Sequence, residues 1–94
     1  MPEKQLESRL RKEIIKRGGK AYKFVSPGTK GIPDRAIYLP GGRHYLVETK
    51  YGRNGLSVHQ QARLRELAAI GTKVWVIGDE TALKEFLSFI DNEI

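Results

Sequence analysis

Leu6, Leu10 and Ile14 recur at helical spacing in LESRLRKEIIKRGG, and Gly18 and Gly19 close that stretch as a helix C-terminus does. AYKFVS then alternates apolar and polar residues, the pattern of a half-buried strand. SPGTKGIP, with two prolines and two glycines, predicts a loop. Residues 34–39 and 43–50 predict two strands joined through Pro40, Gly41 and Gly42 as a hairpin. YGRNG predicts a second loop, and LSVHQQARLRELAAIG a helix with Ser57 as N-cap and Gly71 just past its end. TKVWVIG is almost wholly apolar, which predicts a short strand buried on both faces. Leu83, Phe86, Leu87 and Ile90, again at helical spacing, predict a last helix that covers the core.

The order is therefore α-β-β-β-α-β-α. A hairpin demands antiparallel pairing and a strand–helix–strand crossover permits parallel pairing, so an α/β fold with a mixed sheet flanked by helices is expected. At 94 residues, the chain from 1 to 94 is expected to be one domain with a modest core, for which self-association is a way to bury more surface. There is no cysteine, which excludes disulfides and thiolate zinc sites. The start, MPEKQLESRLRKE, lacks the apolar core of a signal peptide, and runs such as VWVI and LAAI are too short to cross a bilayer. A soluble protein of the cytoplasm, with no membrane partner, is the expectation. Seventeen Lys and Arg against eleven Asp and Glu give a net charge of +6, which favours an anionic partner, nucleic acid first.

Three charges at the predicted hairpin are not required by packing. Residues two apart on a strand share a face, so Glu48 and Lys50 point one way while Val47 and Thr49 point the other. The hairpin brings Asp34, at the start of its first strand, close to Glu48 and Lys50. Two adjacent carboxylates raise each other's proton affinity unless a cation lies between them, and Mg²⁺ suits all-oxygen ligands. A storage site has no use for an ammonium beside the ion. A site that attacks a phosphodiester does, because the lysine steadies the water or the developing negative charge. The plain alternative is a surface ion pair between Glu48 and Lys50, with Asp34 as a turn residue.

Gly31-Ile32-Pro33-Asp34, followed after the hairpin by Glu48-Thr49-Lys50, resembles the PD-(D/E)xK signature of restriction-endonuclease-like nucleases. With Ser57 and Gln60 downstream, the chain is similar more narrowly to the VRR-NUC family, whose αβββαβ core it resembles from the first helix to the strand at Val74, with a C-terminal helix added. The resemblance implies a Mg²⁺- or Mn²⁺-dependent endodeoxyribonuclease in a bacterial or phage-infected cell. Asp34 and Glu48 would hold the metal with the backbone carbonyl of Thr49, and Lys50 would act on water or phosphate. The middle residue of E-x-K is often apolar; here it is Thr49, whose side chain is expected to face away from the site. The resemblance further implies branched DNA, notably four-way (Holliday) junctions, cut by a homodimer whose two-fold axis matches the junction's.

Glu7, on the rim of the first apolar stripe, takes a place at the metal site by the same resemblance, or else pairs with Arg11 one turn on. Gln60 completes a capping box with Ser57, or lies over the active site; one rotamer is not expected to do both. The glycines of residues 26–31 would let backbone amides approach a phosphate. Lys30, Arg35, Tyr51 and Arg53 are the candidates for contact with DNA. The rival reading is a basic nucleic-acid-binding module without catalytic activity.

Overall fold

The protein is described here as a computed structural model covering residues 3–50 and 55–93. Its elements are α1 (Glu3–Lys16), β1 (Lys20–Lys23), β2 (Arg35–Leu39), β3 (Arg43–Thr49), α2 (Val58–Ala69), β4 (Val74–Ile77) and α3 (Glu80–Asn92). The strands form a four-stranded sheet in chain order: β1, β2 and β3 are antiparallel neighbours, and β4 runs parallel to β3. This is the mixed sheet that the order of elements requires.

One face of the sheet carries the core. Leu6, Leu10 and Ile14 of α1 and Leu83, Phe86, Leu87 and Ile90 of α3 pack on Ile37, Leu39, Val47 and Ile77, all buried. Both apolar stripes read from the sequence thus face the same side. Tyr45 and Trp75 extend the core through ring contacts with Phe86 and Phe89. Arg17 grips Asp91 through two nitrogens at 2.6 and 2.8 Å, tying α1 to α3, and Arg43 donates to Ile90 and Glu93 carbonyls at the end of α3.

Two expectations need correction. The strand expected in AYKFVS is KAYK, and only Ala21 packs inward, because β1 is the sheet's edge and the chain turns into its loop after Phe24. The strand VWVI is not buried on both faces: Ile77 is covered, but Val76 is 39% exposed. The reason is that β4 lies at the other edge, and α2, which packs beside it, buries no residue of its own. The second face of the sheet is therefore only thinly covered.

Candidate active site

The register pairs Arg35 with Val47, and carried one residue further it sets Asp34 opposite Glu48. Asp34 stands in the bend before β2, not in the strand itself. Its amide donates to Glu48 Oε2 at 2.9 Å, while its carboxylate turns back across the end of β3. There Oδ1 accepts from the Thr49 amide at 3.1 Å, and Oδ2 lies 3.0 Å from the Thr49 hydroxyl.

That hydroxyl also lies 3.0 Å from Glu7 Oε1. The expectation that the Thr49 side chain faces away from the site is thus wrong. It does point to the α1 side of the sheet, as strand alternation requires, but freed from the pleat by its bend, the Asp34 carboxylate reaches that side too. One hydroxyl has one proton and faces two carboxylates. Glu7 Oε2 takes Arg35 at 3.0 Å, so Glu7 is held from two directions, and its partner is Arg35, not Arg11. Glu3, which the sequence reading missed, joins Glu7 and Asp34 in a cluster of carboxylate oxygens within 4.8 Å of one another. Its signal was present: Glu3 and Glu7 are one turn apart on α1.

On the other side of the sheet Glu48 is only 4% exposed. Burial pushes its carboxyl up to about 7, the charges of Asp34 and Glu3 add to the rise, and the Asp34 amide and the Lys50 charge oppose it. Lys50 lies one residue beyond β3, its amide bonded to the Ile77 carbonyl at 2.9 Å, and no ion pair among the described residues takes its ammonium. The simple surface pair of Glu48 with Lys50 is therefore absent among them.

Gln60 closes the capping box and reaches Glu48 in one rotamer, contrary to the expectation that the two positions exclude each other. Its Oε1 accepts from the Ser57 amide at 2.8 Å, and its backbone amide donates back to the Ser57 hydroxyl oxygen at 3.1 Å, closing the capping box. The other end of the same side chain, Nε2, donates to Glu48 Oε1. An amide has separate donor and acceptor ends, so the two jobs do not compete. A glutamate at this position would serve the cap equally well but would set a third carboxylate against Glu48. Gln60→Glu at pH 8 is therefore expected to melt lower than Gln60→Ala, which itself loses about 1 kcal/mol through the cap. Equal melting of the two variants would reduce Gln60 to a capping residue.

The glycine of the G-x-P-D string has a different reason from the one expected. Gly31 has φ +86°, and a Cβ there would collide with the His59 carbonyl and the Gln60 amide. Its close approach is to the first turn of α2, and this packing brings Gln60 within reach of Glu48. Lys30 is exposed beside it. Arg35 is mostly buried and spent on Glu7, with its Nε lacking any partner. Tyr51 and Arg53 lie outside the described residues.

The donors gathered here are all oxygens, which suits a hard divalent cation and no softer metal. No family model matches the chain. The fold nevertheless defines a class: it superposes on a solved "VRR_NUC domain" with a TM-score of 0.82, over 98% of this chain and 97% of that one, at 22% identity. At the level of sequence the chain is 40% identical over 78 residues to "Putative nuclease p44" of Acyrthosiphon pisum secondary endosymbiont phage 1, covering 83% of this chain and 84% of that relative. The chain belongs to the VRR-NUC family of nucleases.

Proposed function

We propose that the protein is a Mg²⁺- or Mn²⁺-dependent endonuclease, a single nuclease domain over residues 1–94, acting on branched DNA such as four-way junctions as a homodimer. The carrying observation is the crowding of negative charge around Asp34: Glu7 and Asp34 share one hydroxyl, and Glu48 is buried against the Asp34 amide. Burying charge on that scale is costly unless a cation relieves it. Asp34, Glu48 and the Thr49 carbonyl would hold the ion, which when bound lowers the pKa of a water and polarises a phosphoryl oxygen. Gln60 fixes the Glu48 carboxylate by donating from Nε2, and Arg35 with the Thr49 hydroxyl fixes Glu7 for a contact through water. The Lys50 ammonium steadies the attacking water or the charge developing on the phosphate.

Among the described members of the DNA-binding set Lys30 is the exposed cation; Arg35 would reach a phosphate only by leaving Glu7. Tyr51 and Arg53 follow Lys50 directly and remain in the set on that ground. A two-fold dimer would present two identical sites to the two matching strands of a junction. None of the described helices is long and apolar enough to cross a membrane, and the similar protein is a phage's, which fits action in the cytoplasm of a bacterial or infected cell.

The test is a panel of labelled DNAs, linear, flap, fork and four-way, incubated with Mn²⁺ and with a chelator, beside light scattering at micromolar protein. Cutting of the four-way substrate by a dimer, stopped by the chelator, is the expected result. Equal cutting of linear duplex by a monomer removes the junction and dimer proposals. Absence of both cutting and Mn²⁺ binding returns the reading to a basic binding module.

A further inference from the structure

The thinly covered face of the sheet carries a row of rings. Ala21 and Ile37 pack toward the core, so alternation turns Tyr22 and Tyr38 outward. Register places Tyr38 between Lys20 and His44, and Tyr22 beside Ala36, which in turn pairs with Leu46. The two rings lie 6.1 Å apart at 54° and are 57% and 48% exposed. The stride of two continues through Phe24, 51% exposed, whose amide donates to the Asp34 carbonyl at 2.8 Å. Glu48 belongs to the same face, since Tyr38 pairs with His44 and residues 44, 46 and 48 alternate together.

Single exposed aromatics are ordinary on protein surfaces. Two at successive outward positions of one segment, beginning beside Asp34, and a third diagonally across on β2 opposite Lys20 are not scattered. The chain's +6 charge and the exposed Lys20 on this face make an anionic polymer the complementary occupant, and aromatic faces beside cations suit its unstacked bases. We propose that Phe24, Tyr22 and Tyr38 form a stacking platform for unpaired bases of the nucleic-acid substrate, with Lys20 on an adjoining phosphate. The proposal rests on the nuclease reading for the platform's purpose, namely to hold a single-stranded stretch that enters the site at Asp34. The platform would give the enzyme its preference for DNA that is not fully paired.

Binding is measured in chelator, without cutting, by fluorescence anisotropy of a labelled thymidylate dodecamer and of a blunt duplex, using the full chain. Tyr22→Leu with Tyr38→Leu keeps apolar bulk and removes the π-faces. It is expected to weaken dodecamer binding by about tenfold or more, leaving duplex binding within about twofold. Tyr22→Phe with Tyr38→Phe is expected to bind as the parent does. Equal loss on both probes, or no loss on either, overturns the platform. So does a parent dimer that survives the leucine pair and dissociates when Tyr22→Ala is combined with Tyr38→Ala, because the face is then a self-association surface. A chain that discriminates the two probes but never cuts keeps the platform and loses the nuclease reading.

Discussion

Lys50→Ala is expected to lower the rate of DNA cutting by at least about 10²–10³-fold while Mn²⁺ binding and the circular dichroism spectrum stay at parental values. Lys50 has no ion-pair partner among the described residues, and its charge acts on buried Glu48 less than burial and Asp34 do, so the fold should tolerate its removal. On the proposed role, what is lost is a cation placed where negative charge grows, and one such group is worth about 10²–10³ in rate. Asp34→Asn provides the contrast. It too is expected to abolish cutting, by about 10³-fold, but together with Mn²⁺ affinity. Its amide still offers an oxygen to the Thr49 N–H, and its nitrogen can donate to the Thr49 hydroxyl. A like charge beside Glu48 and Glu7 disappears, so Tm should match or exceed the parent's, the usual trade of stability for function at a charged site. A Lys50→Ala protein that cuts at the parental rate, or an Asp34→Asn protein that binds Mn²⁺ unchanged, would show that the chemistry lies elsewhere.

The second large effect is on pH. Folded Glu48 keeps its proton up to about 7, whereas an unfolded chain releases it near the ordinary 4.5. Between those values the native protein carries the extra proton, so the stability of the metal-free protein falls as pH rises from about 4.5 to about 7 and levels off above. A cation needs the ionised carboxylate. Apparent Mn²⁺ affinity should therefore climb about tenfold per pH unit below 7 and flatten above it, with a proton released on binding at the acid end. Calorimetry in buffers of different ionisation enthalpy reads both quantities. Glu48→Gln should erase the slope as well as the affinity, and a flat affinity profile from pH 5 to 8 in the parent would remove Glu48 from the cation's ligands.

The stripes of α1 and α3 and the hairpin were legible because each is a local pattern: Leu6, Leu10 and Ile14 face one side whatever the rest of the chain does. The side chains of the site were harder. Alternation correctly separates Glu48 from Thr49, but it governs only residues inside a strand, and Asp34 sits in a bend from which its carboxylate crosses to the Thr49 side. The pairing of Arg35 with Glu7 joins α1 to β2, and no local rule names such a partner. Gln60 was read as a choice between two roles because the donor and acceptor ends of its amide were not counted separately. The exposure of Val76 was hidden for another reason: an apolar strand at a sheet edge looks like a central one until its neighbours are known.

Gly31 separates the recognisable part of the G-x-P-D string from the chemical part. Its hydrogen is demanded by the backbone of α2, so a descendant that had lost all enzymatic purpose would still have to keep it in order to fold. Such a pseudoenzyme would carry an intact glycine beside a decayed lysine at position 50. On the proposed roles, surveys that rank family members by that glycine would score architecture, whereas Asp34 and Lys50 would sort the active enzymes.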